Sequence, residues 1–113
     1  MRVGFYGTER GLTIAQTTAL TAVVNQLPVE VVHVAGPDET TVRWLEGRYP
    51  IVRHTGGQMP TLQAVVAACV TFICPKGDPR SHARIAYAHS VNRLTIEIAL
   101  DGETMWSRGE HGS

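Results

Sequence analysis

Three consecutive pieces decide the fold: Arg2-Val-Gly-Phe-Tyr6, the turn Gly7-Thr-Glu-Arg-Gly11, and the run from Leu12 to Leu27. The first is a short apolar run, and two glycines bracket the turn that follows. In the third, Leu20, Val23, Val24 and Leu27 recur at i, i+3, i+4 and i+7, one stripe of a helix. Thr13 and Gln16 form a T-x-x-Q capping box at its start, and Pro28 ends it. Strand, tight turn and helix in immediate succession open an alternating strand–helix chain.

The alternation continues to residue 100. Val29 to Ala35 (VEVVHVA) is β-branched and nearly continuous, as for a strand covered on both faces. Gly36-Pro-Asp-Glu39 makes a turn, with Asp38 as N-cap of a short helix carrying Val42, Leu45 and Tyr49 and stopped at Gly47. Pro50 to His54 is a third strand, short and bearing Arg53, hence an edge. Gly56-Gly57 leads to Pro60 in the first turn of a helix with Leu62, Val65, Val66 and Cys69 on one face. Val70 to Cys74 is a fourth strand. Asp78 then Pro79 reads as N-cap and first helical residue of a helix reaching about Val91. In the fifth strand, Leu94 to Leu100, the even positions face inward while Thr95 and Glu97 face water, so this strand is a second edge. Residues 1–102 form one domain, and 103–113, including Trp106, are expected to be a loosely held tail.

Composition narrows the class. The chain has 113 residues, the length of one domain. Hydrophobic residues at 43% against charged ones at 18% exclude a disordered chain. No apolar run approaches the ~20 residues of a membrane span, so the protein is expected in the cytoplasm, away from membranes. Ten Lys+Arg balance ten Asp+Glu, which argues against nucleic acid as a partner. Nine of the ten cations are arginine, Lys76 being the one lysine. Arginine forks suit phosphate or carboxylate, although a GC-rich genome produces the same bias. Cys69 and Cys74 read as buried free thiols, and no Cys/His spacing matches a metal site.

Five strands alternating with four helices predict a three-layer α/β domain with a parallel sheet. Right-handed crossovers with strands three and five at the edges give the order 3-2-1-4-5. The chain reverses direction between strands one and four, and the crevice outside their carboxyl ends is where such sheets bind ligands. The loops there are 7–13 and 75–81. Backbone N–H groups at the helix start after Gly7 favour an anion by about 0.3–1 kcal/mol. Thr8 adds a hydroxyl, Arg10 a fork, and Lys76 and Arg80 approach from the facing loop. Glu9 and Asp38 could form a carboxylate pair, or Asp38 could simply cap its helix. His82, in the first turn of the last helix, is a base, a phosphate contact or an exposed bystander. His33 and His54 have no visible partner.

Val3 to Thr13 (VGFYGTERGLT), then Ala15-Gln16 and Ala19-Leu20, resembles the opening of the YpsA-like branch of the SLOG superfamily, the DprA/Smf–LOG group of Rossmann-like proteins. Gly36-Pro37-Asp38, Leu62 to Ile73, Pro75-Lys76-Gly77, Arg84 to Ala88, Thr95-Ile96 and Asp101-Gly102 follow the branch in order. The resemblance implies a Rossmann-like fold and a nucleotide or nucleoside-phosphate ligand at Gly7, Thr8, Arg10, Gly36, Asp38, Pro75, Lys76 and Gly77. Glu9, Arg80 and Ser81 complete the candidate set, with no metal or cofactor called for. The LOG motif Pro-Gly-Gly-x-Gly-Thr-x-x-Glu is missing, since the stretch reads Pro75-Lys-Gly-Asp-Pro-Arg-Ser-His-Ala-Arg84. The leading expectation is therefore a binding module, a sensor or sponge of a phage or mobile element. A LOG-like phosphoribohydrolase and a DprA-like DNA-associated protein are the alternatives. A homodimer through the apolar face of residues 62–69 is one option, and a plain core stripe is the other.

Overall fold

Alternating strand and helix periods fold here as successive strand–helix units along one sheet. A computed structural model describes residues 1–109. In chain order the elements are β1 Arg2–Tyr6, α1 Ile14–Gln26, β2 Val31–Ala35, α2 Glu39–Glu46, β3 Ile51–Arg53, α3 Gln58–Ala68, β4 Thr71–Pro75, α4 Ser81–Ser90, β5 Leu94–Ile98 and β6 Thr104–Ser107. The sheet order is β3-β2-β1-β4-β5-β6. The first five strands pair in parallel and β6 runs antiparallel to β5. The protein is thus α/β with one mixed sheet of six strands, not a purely parallel sheet of five.

The sixth strand corrects two expectations. Residues 104–107 belong to the sheet instead of a loose tail, while residues 110–113 lie outside the described residues. The cause is a tight hairpin at Asp101-Gly102. Gly102 N–H donates to Ala99 O at 2.8 Å, Ala99 N–H to Glu103 O at 2.8 Å, and Glu103 N–H to the Asp101 carboxylate at 3.0 Å. An Asp-Gly pair is a strong short-range hairpin signal. With β6 alongside and α4 packed above, β5 is an interior strand. Thr95 and Glu97 are buried, contrary to their expected exposure.

Side chains alternate across the strands, so each face of the sheet has its own core. Val3, Phe5, Val32, Val34, Ile73, Ile96 and Ile98 pack with Leu20, Val23 and Val24 of α1 and Val42 and Leu45 of α2. Tyr6, Ala35, Phe72 and Cys74 pack with Leu62, Val65 and Val66 of α3 and Ile85 and Ala88 of α4. Each fully buried side chain of this size contributes about 1.5–3 kcal/mol. Gly4 lets α3 rest on β1, for a Cβ there would lie 2.8 Å from Cys69 Sγ and 2.9 Å from Val65 Cγ1. The stripe of residues 62–69 is thereby occupied inside the fold. Helix α4 begins at Ser81, two residues later than expected, because Asp78 accepts the Arg80 N–H at 2.9 Å and closes a turn over Pro79. Among the described residues, no helix is long and apolar enough to cross a membrane.

Candidate functional site

The chain reverses direction between β1 and β4, and their carboxyl ends open a crevice that helix α1 holds in shape. The Thr13–Gln16 capping box is present: Thr13 Oγ1 accepts the Gln16 N–H at 3.0 Å, and Gln16 Oε1 accepts the Thr13 N–H at 3.0 Å. The same buried Gln16 donates from Nε2 to Lys76 O at 2.8 Å and Ile98 O at 3.0 Å. Thr13 Oγ1 also donates to Leu100 O at 2.7 Å. One carboxamide therefore ties the start of α1 to the ends of β4 and β5.

The loop after β1 is fastened as tightly to the end of β2. Gly7 N–H donates to Ala35 O at 2.9 Å. Gly36 has φ +93, and a Cβ on it would meet Gly7 O at 2.5 Å, so only glycine allows this approach. Asp38 caps α2 through Oδ1, which accepts the Thr41 N–H at 3.1 Å, and Oδ2, which accepts the Thr41 hydroxyl at 2.5 Å. Of the two roles open to it, Asp38 takes the cap. Pro75 O accepts the Ser81 hydroxyl at 3.1 Å, which joins the end of β4 to the first turn of α4. The two crevice loops meet where Glu9 N–H donates to Asp78 Oδ2 at 3.4 Å.

Three hollows surround this junction, and the expected residues are divided among them. On the α1 side, Thr8, Arg10, Lys76 and Gly77 line a hollow of about 210 Å³ with Leu100 at its wall. The Thr8 hydroxyl is turned inward, donating to Gly11 O at 3.0 Å. On the α3–α4 side, Glu9, Gly36 and Arg80 line a cleft of about 410 Å³ together with Tyr6, His54 and Arg84. An apolar annex of about 140 Å³ adds Met59, Leu62 and Ala83. Between α4 and the β5–β6 hairpin, Lys76 and Ser81 line a third hollow of about 600 Å³ with His82, His89 and Met105. There Lys76 Nζ pairs with Glu97 at 3.0 Å. Gly7, Asp38 and Pro75 hold the scaffold through the bonds already described.

Arg84 is the functional candidate that the sequence reading missed. It is 6% exposed, and its guanidinium carbon lies 4.1 Å from the centre of the Tyr6 ring. Nη2 reaches Asp78 Oδ2 at 3.4 Å, with the Asp78 side chain 3% exposed. Nη1 is buried without a hydrogen-bond partner among the described residues. Leaving a buried donor unmatched costs about 1–3 kcal/mol, more when it is charged. Burial pushes the Asp78 carboxyl up, but the Arg80 N–H, the Arg84 charge and the Glu9 N–H outweigh it and hold the group below its ordinary value. Asp78 therefore stays ionised and anchors one edge of the guanidinium while the other lacks an acceptor.

His54 is the second missed residue. His33 Nδ1 and His54 Nε2 lie 2.9 Å apart, linking β2 to the end of β3 at the cleft. Burial, the facing His54 and Arg2 lower the His33 pKa from its ordinary value. A partner was invisible in sequence because the pair is made by parallel register, with His33 beside Val52. Burial pushes Cys69 up to about 11 and Cys74 up to about 12, which disfavours the thiolate of both. Among the described residues, no cluster of three or more metal-ligating side chains occurs. No protein-family model, curated protein or solved structure matches the chain.

Proposed function

We propose that the chain is a binding module for a nucleotide or nucleoside phosphate, with the ligand held in the crevice between loops 7–13 and 75–81. One observation carries the reading: at the sheet's reversal point, these loops meet through Glu9 and Asp78 beside a cleft of about 410 Å³ containing two arginines. That volume lies in the range of small-molecule sites, roughly 300–1,000 Å³, as does that of the hollow beside the β5–β6 hairpin, where Lys76 is already paired with Glu97; the α1-side hollow falls below it. The resemblance of residues 3–102 to the YpsA-like SLOG branch points to the same ligand class. Binding without turnover agrees with the carboxylates: Asp38 spends both oxygens on Thr41, and Asp78, the carboxylate nearest Glu9, is engaged by Arg84 and two backbone N–H groups.

The test is a thermal-shift screen of mono-, di- and triphosphate nucleotides, with native mass spectrometry for any retained ligand. A ligand at a hundred times its Kd adds about 2.7 kcal/mol and raises the Tm visibly. The expected result is stabilisation by at least one nucleotide and none by its unphosphorylated nucleoside. A flat response across the panel would end the nucleotide reading. Steady, protein-dependent release of free base from a nucleoside monophosphate would replace it with the phosphoribohydrolase.

A further inference from the structure

We infer that Arg84 and Arg80 form a phosphoryl-binding seat at the α3–α4 end of the crevice, receiving the anionic end of a small phosphate ester. The inference deepens the binding-module reading and rests on it for the organic part of the ligand, but not for the anion. Arg84 is nine-tenths buried, lines both the 410 Å³ cleft and its apolar annex, and has Nη1 without a partner among the described residues.

Its remaining contacts leave room for a stronger acceptor. Asp78 Oδ2 lies 3.4 Å from Nη2 and also receives the Glu9 N–H at 3.4 Å. Charge-assisted bonds to guanidinium run at about 2.7–2.9 Å, so this carboxylate contact is long and shared. The Tyr6 ring, 4.1 Å from the guanidinium carbon, holds the plane of the fork. Arg80 is exposed, lines the same two cavities, and stands at the N-cap of α4, where the helix dipole favours an anion. Nη1 is covered by protein, so an anion meets it when the fork turns towards the cleft, and a tetrahedral oxyanion then has enough acceptors for Nη1 and for Arg80 together. Glu9, exposed in the same cleft, repels phosphate and accepts hydroxyls. The ligand is thus polarised, with phosphoryl at the arginines and a hydroxyl-bearing portion towards Glu9 and His54.

The test titrates wild type, Arg84→Gln and Arg80→Ala with inorganic pyrophosphate, ribose 5-phosphate, AMP and adenosine by calorimetry. In parallel, the arginine Nε–H signals of the wild type are followed by NMR during the pyrophosphate titration. The expected result is a shift of the Arg84 Nε–H signal in the wild type. Affinity for every phosphorylated probe falls about tenfold or more in Arg84→Gln, and several-fold in Arg80→Ala. An unmoved Arg84 signal at saturating pyrophosphate overturns the seat, as does unchanged affinity in a folded Arg84→Gln. If Arg84→Gln does not fold, the wild-type NMR titration decides: a shifted Arg84 signal supports the seat and an unmoved one overturns it, while full affinity in Arg80→Ala removes Arg80 from it. Arg84-dependent pyrophosphate binding with no response to any nucleotide supports the seat and removes the nucleotide reading. Nucleotide binding indifferent to Arg84 does the reverse.

Discussion

The two sides of the crevice use their polar groups in opposite ways. On the α1 side, the side chains of Thr8, Thr13 and Gln16 hydrogen-bond to the protein's own backbone, closing the capping box and holding the ends of β4 and β5. On the α3–α4 side, a buried guanidinium keeps one nitrogen without a partner among the described residues, and the exposed Arg80 lines the same cleft. Thr8, Thr13 and Gln16 therefore serve as scaffold, and the proposed anion seat draws its charge from the neighbouring helix. A matched polar network rigidifies its surroundings, whereas an unmatched buried charge stores binding capacity at a cost in stability.

The sharpest way to break this contrast is Gly36→Ala. The new Cβ at φ +93 would lie 2.5 Å from Gly7 O, pulling both loops out of place. Urea unfolding should show a loss of about 3 kcal/mol or more; a change within 0.5 kcal/mol would mean that the loops are not locked together. Next comes Gln16→Leu, which keeps the side chain's bulk but strands the Lys76 carbonyl, takes one of two donors from Ile98 O and opens the capping box. A loss of about 2–4 kcal/mol is expected. If Gln16→Leu is neutral, the α1 side is not the scaffold.

Acidification separates the sides next. His33 has a lowered pKa in the folded protein, so the unfolded chain takes up the proton first as the pH falls. The stabilisation is complete above the ordinary value of 6.5 and is lost progressively below it. Urea midpoints measured from pH 7.5 to 5 should therefore decline, with a shallower slope in His33→Gln. Equal slopes would detach the histidine pair from stability. The smallest effect belongs to Arg10→Ala. Its side chain is exposed, so stability should move by less than about 0.5 kcal/mol. In calorimetric titrations, the nucleotide affinity of this variant should fall less than that of Arg84→Gln. A larger fall would return the anion to the α1 side.

Much of the scaffold was legible from local pattern. The stripe Leu20–Val23–Val24, the capping box, the Asp38 cap and the edge position of β3 all follow from spacing over a few residues. The β6 hairpin was announced by Asp101-Gly102, but the four residues after it show no period long enough to read as a strand. Glu97 was placed in water because strict alternation assumes one bare face, and α4 covers that face.

The site was less legible, for a reason particular to Arg84. In sequence it is a charge in a helix next to Ile85, and helical charges are ordinarily solvated. Its burial depends on Tyr6 from β1 and Asp78 from the loop after β4, groups assembled only when the sheet order brings them together. Likewise, Gln16 reads as half of a capping box, and its second role needs a carbonyl 82 residues away. By itself the sequence determined the alternation of elements and the position of the crevice, because periodicity and turn chemistry act over a few neighbouring residues. The tertiary structure alone decided which polar groups are satisfied within the protein and which buried nitrogen has no partner among the described residues, because matching a buried group depends on partners distant in sequence.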